Sequence, residues 1–192
     1  MLERLADEFR ENRRILEEVV SANRRFNAAA LELGTMDAVA LRSISDDSLR
    51  AFFDPIGGWH IFYPVRAESL SMHQSGEFRL IQSRGIRAAL NGCNEAVDLA
   101  EVQGTLVTAK DNERIEIYSA AGFYEAVIRD RDVGPNEMSA KRGVHLEMLR
   151  EGRIQQNLIS HGGFRGYYIE LLRDAMTALE DLLILLETEA AR

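Results

Sequence analysis

The spacing of apolar residues over the first 33 positions is the feature that most constrains this fold. Apolar side chains, with asparagine at two positions, recur at intervals of three and four residues, which is the heptad spacing of a long amphipathic helix. Gly34 is predicted to end this helix, and the two asparagines are interpreted as setting register or oligomeric state rather than contacting a ligand. The positions are Leu2, Leu5, Phe9, Asn12, Leu16, Val19, Asn23, Phe26, Ala30 and Leu33.

The same spacing predicts a second long helix from about Arg84 to Arg131. Ser83 is predicted to cap it. The pattern blurs from Asp111 to Arg114, which indicates a stutter, a kink or two helices end to end. The clearest part of the pattern lies on Leu90, Cys93, Val97, Ala100, Gly104 and Val107.

A third long helix is predicted at the end of the chain. His161-Gly162-Gly163 is interpreted as a break before it, and an apolar stripe indicates an amphipathic helix after that break. The stripe comprises Tyr168, Leu171, Leu172, Ala175, Leu179, Leu182, Leu183 and Leu186.

Shorter elements are predicted between the long helices. A helix over 65–75 ends at Gly76, after which Phe78, Leu80 and Ile81 are expected to enter a core. A turn is predicted over 54–58, a break at 134–136 and a further helix over about 138–150. With only 3 prolines among 192 residues and no convincing strand, the chain is predicted to be all-α. Because such long helices must pack lengthwise, the prediction is an elongated helical bundle with three long helices plus several short ones, as one domain over 1–192.

Charge and composition restrict the partners of this chain. The formal net charge is −8, whereas a nucleic-acid or anionic-membrane binder needs a basic face, so neither partner is expected. The longest apolar run, Leu182 to Leu186, is far shorter than the ~18 residues that span a bilayer. The single cysteine, Cys93, excludes an intramolecular disulfide and any site built on several thiolates, and is expected to be a small core residue.

The motifs that mark known chemistry are absent from the sequence. There is no G-x-G-x-x-G, no P-loop and no G-x-S-x-G element, so no nucleotide site or serine nucleophile is predicted. None of the four histidines follows a glutamate by three residues, as a di-iron bundle requires, and no H-E-x-x-H zinc motif occurs. The sequence therefore predicts no cofactor, no metal and no catalytic residue.

An aromatic stretch, from Trp59 to Tyr63, is the most pocket-like feature of the sequence. It is interpreted either as a loop that caps the bundle with large apolar side chains or as a lid over a ligand pocket. In the second interpretation the candidate ligand-binding residues are Trp59, His60, Tyr63 and Arg79. A separate hypothesis is that the chain is an enzyme with an unfamiliar site, which would use His60, Glu68 or Arg79.

Three short motifs lie within residues 60–92: Tyr63 to Leu70 (YPVRAESL), Ser75 to Ile81 (SGEFRLI) and Arg87 to Leu90 (RAAL). With these motifs the stretch resembles a family of uncharacterised, membrane-anchored bacterial proteins. The family has a short helix ending in Ser-Gly, a Leu-Ile pair and then a long helix, and usually a single transmembrane helix before the first long helix. The resemblance implies a truncated form of an extracytoplasmic, periplasmic domain; without truncation a cytoplasmic protein is expected. The family brings no established activity and no catalytic residue.

Two functions follow as hypotheses. The leading one is a non-enzymatic sensory or interaction module, because helical bundles often transmit a signal as a small helix shift. The alternative is a scaffold whose long helices drive self-association, with a homodimer through those helices as the expected assembly. Membrane contact is expected only through a transmembrane segment that this chain lacks.

Overall fold

The computed structural model describes residues 2–45, 48, 51–52, 60–120 and 153–190, and over these residues the fold is all-α, as predicted. No strand occurs in these ranges. A 3-10 turn over Glu77–Leu80 separates the third helix from the fourth. The helices are α1 Leu2–Thr35, α2 Ala38–Ser43, α3 Ala67–Ser75, α4 Arg84–Ala120 and α5 Arg153–Ala190.

The tertiary contacts divide the chain into two compact units. Unit 1 comprises Met1–Ser21, Ile61–Thr105 and Tyr168–Arg192, and unit 2 comprises Ala22–His60 and Leu106–Tyr167. The three long helices α1, α4 and α5 contribute residues to both units. That 1–192 forms a single domain stays a prediction.

The core of unit 1 is formed by the apolar seams of α1, α4 and α5, as their spacing predicts. Cys93 is 1% exposed and packs as a small core residue. The buried seam positions are Leu5, Phe9 and Leu16 on α1, Leu90, Cys93, Val97 and Ala100 on α4, and Leu172, Ala175, Leu179, Leu182 and Leu186 on α5.

One close approach in unit 1 depends on a glycine in the seam of α4. A Cβ atom at Gly104 would lie 3.0 Å from Ile61 Cγ2 and 3.1 Å from the Tyr168 hydroxyl oxygen. That hydroxyl accepts a hydrogen bond of 2.8 Å from the buried backbone N–H of Phe62. Gly104 thus leaves room for the tyrosine that satisfies a buried main-chain donor.

The extended segment before α3 is held by α1. The side-chain amide of Asn12 donates to the carbonyl of Val65 over 2.8 Å, and its oxygen accepts from the Val65 N–H over 2.7 Å. The carboxylate of Glu8 accepts from the N–H groups of Glu68 and Ser69 at 2.6 and 3.2 Å. Glu8 therefore caps α3 from another helix, because the N-cap residue of α3 makes no side-chain cap of its own.

The Ser-Gly end of α3 has the predicted geometry. Gly76 adopts the left-handed conformation with φ of 76°, and its N–H donates to the His73 carbonyl over 3.2 Å. At the start of α4, the Ser83 hydroxyl accepts from the Ile86 N–H over 3.3 Å. Both predicted helix boundaries are confirmed.

The prediction that Leu80 enters the core is wrong. Ile81 is 3% exposed, but the side chain of Leu80 is 67% exposed. No residue of the 3-10 turn is buried and Phe78 is half-buried, so the chain enters the core only after the turn, at Ile81.

Unit 2 has its own apolar core, which α2 helps to close. Asp37 caps α2 by accepting from the N–H groups of Val39 and Ala40, both over 2.8 Å. The core comprises Phe26, Ala29, Ala30, Leu33, Leu41, Ile44, Ile154 and Leu158.

Two predicted helix ends in unit 2 are wrong. Gly34 does not end α1, which continues to Thr35, and α5 runs unbroken from Arg153 through His161-Gly162-Gly163. Gly34 and Gly162 allow close helix packing, whereas Gly163 faces open space. A Cβ atom would lie 2.9 Å from Ile159 Cγ1 at Gly34, and 2.9 Å from Asn27 Oδ1 at Gly162.

The remaining predicted elements lie outside the described residues. They are the turn over 54–58, the part of the second long helix beyond 120, the break at 134–136 and the helix over 138–150. The α4 helix itself is continuous through Asp111 to Arg114, so no pair of helices meets end to end there. Among the described helices, none has a window apolar enough to cross a bilayer.

Candidate functional site

Polar side chains occupy several of the seam positions of unit 2, among the apolar residues of its core. Asn23 of α1, Asp111 of α4 and Arg165 of α5 are each 0% exposed, Arg114 is 1% exposed and His161 is 2% exposed. Charged residues are almost never fully buried unless they are paired. We refer to these five residues as the polar cluster.

Asp111 lies at the centre of the polar cluster, with partners on both carboxylate oxygens. Arg165 Nη2 lies 2.6 Å from Oδ2. His161 Nε2 and Arg114 Nη2 lie 3.1 and 3.2 Å from Oδ1. One carboxylate thus joins two side chains of α5 to a neighbour on its own helix.

The hydrogen bonds continue from Arg165 to the backbone before α3. Arg165 Nη1 donates to Asn23 Oδ1. The amide nitrogen of Asn23 in turn donates to the carbonyl of His60 over 2.7 Å. These hydrogen bonds connect α4, α5, α1 and the segment at His60 one after another.

The ring of Phe26 packs against the cationic side of the cluster. The guanidinium carbon of Arg165 lies 3.8 Å from the ring centroid and that of Arg114 lies 5.4 Å from it. The imidazole of His161 is 5.1 Å away, centroid to centroid. A desolvated guanidinium over an aromatic face is stabilised by about 2 kcal/mol, so Phe26 is part of the electrostatics and not only of the core.

Opposing influences determine the charge states in the polar cluster. Burial alone would raise the pKa of Asp111, but the imidazole of His161, 3.1 Å away, and the charges of Arg165 and Arg114 hold that pKa below its ordinary value. Burial lowers the pKa of His161, and the neighbouring guanidinium groups lower it further against the attraction of Asp111. At neutral pH the cluster thus holds an ionised carboxylate beside a neutral imidazole.

The polar cluster is closed to solvent. Asp111 and His161 are an acid and a base in contact, but a general acid or base must lie within hydrogen-bond reach of a substrate, and neither side chain is accessible to solvent. Within the described residues no group of three or more histidine, cysteine, aspartate or glutamate side chains is arranged to hold a metal ion. The cluster's chemistry is that of a buried ion network.

The residues proposed from the sequence have different surroundings in the two units. Trp59 lies outside the described residues. His60 belongs to unit 2, where its carbonyl contacts the polar cluster and burial lowers the pKa of its imidazole. Tyr63 is 68% exposed in unit 1, and Arg79 is exposed on the 3-10 turn. Their role as ligand contacts stays a prediction.

The signal for the polar cluster was present in the sequence as an apparent loss of pattern. The α4 seam continues in steps of four and three through Asp111 and Arg114, and the α5 seam begins before Tyr168 with His161 and Arg165. Interpreting these positions as a blur and a break missed them, because an amphipathic pattern counts apolar residues only. A charged residue in register with a buried seam is the pattern that identifies such a site.

Comparisons with protein-family models, with curated proteins and with solved structures find no match to this chain. The resemblance of residues 60–92 to membrane-anchored bacterial proteins therefore stays an expectation. Its motif has structural causes in unit 1, where the Ser-Gly end of α3 terminates a helix and Arg66 pairs with Asp98 and Glu101 at 2.6 and 2.8 Å.

Proposed function

We propose that this chain is a non-catalytic sensory or protein-interaction module in which the polar cluster is the element that responds to a signal. The observation that carries the proposal is the fully buried Asp111, which binds side chains of α4 and α5 at once. We further propose, on the resemblance alone, that the module is the extracytoplasmic domain of a bacterial membrane-anchored protein.

Stability alone is a weak reason to keep such a network. Replacing a buried ion network with well-packed apolar residues is often neutral or stabilising, by about 1–4 kcal/mol, because the ions lose their hydration. The better attested use of buried polar groups is to specify one arrangement of helices over another. Signals in helical proteins travel as helix shifts of about 1–2 Å, and a shift of this size would break the 2.6 Å contact between Arg165 and Asp111.

The test of this proposal is conformational exchange at the cluster. We expect ¹⁵N relaxation dispersion to show motion on the microsecond to millisecond timescale at amides of 22–27, 108–115 and 160–166. Asp111→Asn should change that exchange by altering the balance between the helix arrangement described here and a shifted one. Asp174→Asn, which removes an exposed carboxylate from α5, is the matched control and should leave it unchanged.

A flat dispersion profile at all three segments would contradict a switch. So would exchange that responds equally to Asp174→Asn, because the motion would then not depend on the network. The proposed location is checked separately, with alkaline phosphatase fused to the C-terminus of the genomic reading frame. The enzyme is active only outside the cytoplasm, so an inactive fusion would refute an extracytoplasmic domain.

A self-associating scaffold is the second candidate, and one face of α4 favours it. Leu99, Val102 and Leu106 are 58%, 62% and 50% exposed and are spaced three and four residues apart, which is the spacing of a coiled-coil seam. A homodimer through this helix would cover them. Light scattering at increasing concentration should detect that dimer, and Leu99→Glu with Val102→Glu should abolish it. A strict monomer at high concentration would exclude the scaffold.

A further inference from the structure

A basic, apolar surface in unit 1 stands out in a chain that is acidic overall. The stretch 78–94, which lies between Glu77 and Glu95, contains three arginines and no aspartate or glutamate, although the whole chain has a net charge of −8. These arginines are Arg79, Arg84 and Arg87, and all three are exposed. Leu80, beside the first of them, is 67% exposed. We refer to these four residues as the arginine tip.

The three guanidinium groups are available for a partner. Within the part of the chain that the structure describes, none of them makes a hydrogen bond or an ion pair. Arg66 of the same unit shows the contrast, because it binds both Asp98 and Glu101. The exposed Arg10 of unit 1 is paired as well, with Asp7 and Glu187.

Local stability does not explain the arginine tip. Arg84 and Arg87 lie in the first turn of α4, which has no acidic residue to balance them. Positive side chains at this end of a helix are unfavourable because the N-terminus of the helix dipole is itself positive. An exposed leucine among unpaired arginines has the composition of an interface centre, where arginine is enriched and apolar anchors are buried.

We propose that the arginine tip docks an acidic segment of another protein, with carboxylates paired to the guanidinium groups and an apolar contact covering Leu80. Charge complementarity determines the sign of the partner. The number and type of cations favour a protein over a lipid surface, because anionic-lipid sites usually contain roughly four to eight lysines and arginines. All three cations here are arginines, whose planar guanidinium groups form bidentate hydrogen bonds with carboxylates. The proposal does not depend on the polar cluster.

A synthetic acidic helical peptide serves as the probe for this surface. It carries glutamates four residues apart around a leucine, and its counterpart replaces each glutamate with glutamine. Titrated into the full ¹⁵N-labelled chain at low salt, the acidic peptide should shift amides of 76–88 and bind about tenfold more tightly than the glutamine peptide. The affinity for the acidic peptide should fall by about the same factor in the triple variant Arg79→Gln, Arg84→Gln and Arg87→Gln. Leu80→Gln should weaken the binding of both peptides.

The matched control removes three exposed arginines elsewhere, by Arg24→Gln, Arg42→Gln and Arg173→Gln, and should leave the affinity within about twofold. Equal binding of the two peptides, or equal losses in the tip and control variants, would overturn the proposal. Vesicles of phosphatidylcholine with about 30% phosphatidylserine test the lipid alternative. Tip-dependent sedimentation with these vesicles, without preference for the acidic peptide, would overturn the proposal in favour of a membrane surface.

Discussion

At the scale of single residues, the charge of Asp111 determines how strongly the buried guanidinium groups beside it destabilise the fold. Its carboxylate compensates guanidinium groups that have lost their hydration, so removing the charge leaves cations in a low-dielectric interior. We expect Asp111→Asn to lower the free energy of unfolding by about 3–5 kcal/mol, the usual loss when one partner of a buried ion pair is removed. Urea denaturation followed by circular dichroism measures this loss.

An apolar replacement of the whole network separates its two roles. Asp111→Leu combined with Arg114→Leu, His161→Phe and Arg165→Met should cost less than Asp111→Asn alone, because no buried charge is left without a partner. The relaxation-dispersion signal should nevertheless disappear in this variant. If Asp111→Asn cost no more than the exposed Asp174→Asn, the network would not be the buried ion pair that the geometry describes.

The depressed pKa of His161 gives a pH dependence with a definite sign. The unfolded chain binds a proton near pH 6.5, whereas the folded chain binds it only at lower pH because burial lowers the pKa of His161. Since the unfolded state then binds more protons, the free energy of unfolding falls as the pH falls below about 6.5. Above that pH the contribution of His161 to stability is fully present. Asp111, whose pKa is also lowered, adds a loss in the same direction at more acidic pH.

Replacing the imidazole tests this assignment. We expect His161→Gln to flatten the decline of the unfolding free energy between about pH 7 and pH 5, as measured by urea denaturation across that range. His73→Gln is the control, because His73 is exposed. His60, whose pKa is lowered by burial, should retain part of the slope. An unchanged slope in His161→Gln would show that another group determines it.

At the scale of helices, adjacent glycines of α5 have opposite roles. A Cβ atom at Gly162 would lie 2.9 Å from Asn27 Oδ1 and 3.1 Å from Leu31 Cδ2, whereas one at Gly163 would meet nothing within 4 Å. We expect Gly162→Ala to lower the free energy of unfolding by about 1–3 kcal/mol through overpacking. Gly163→Ala should raise it by about 0.5–1 kcal/mol, because alanine is the better helix former. Thermal unfolding of the two variants provides the comparison, and equal effects would contradict close helix packing at Gly162.

Elements determined by local chemistry could be predicted from the sequence. The seam of α1, the left-handed Gly76 and the Ser83 cap each depend on residues within one or two turns. The predicted break at Gly162 failed because a glycine inside a helix is the same signal as a glycine after one. Which role it takes depends on whether another helix approaches, and Asn27 lies far away in sequence.

The candidate site was harder to predict for a related physical reason. A charge such as Asp111 is interpreted as solvent-facing unless its partners are known, and Arg165 is 54 residues away. Glu8 shows the same limit, since it caps α3 from 60 residues away. The aromatic stretch is unusual in its composition, whereas the polar cluster is unusual only in its position. Heptad register, which α1, α4 and α5 share, is therefore the better guide to buried polar groups in this chain.

At the scale of the whole molecule, each of the three long helices contributes residues to both unit 1 and unit 2. The helices α1, α4 and α5 have no break at 21–22, 105–106 or 167–168, where residues change from one unit to the other. Helix formation is cooperative along a segment, because each added residue extends a ladder already nucleated. We therefore expect the described helices to unfold in one transition, as a single domain would.

Variants confined to one unit make this expectation testable. Tyr168→Phe removes the hydroxyl that accepts from the buried Phe62 N–H in unit 1 and should cost about 1–3 kcal/mol, while Asp111→Asn acts in unit 2. In native-state hydrogen exchange, each variant should lower the opening free energy of the most protected amides of α4. The decrease should be the same over 86–104 and over 107–117. Loss of protection only in the unit that carries the substitution would divide the chain into two domains. The polar cluster would then respond to its signal without transmitting it along α4, so the same measurement decides how far the proposed switch can act.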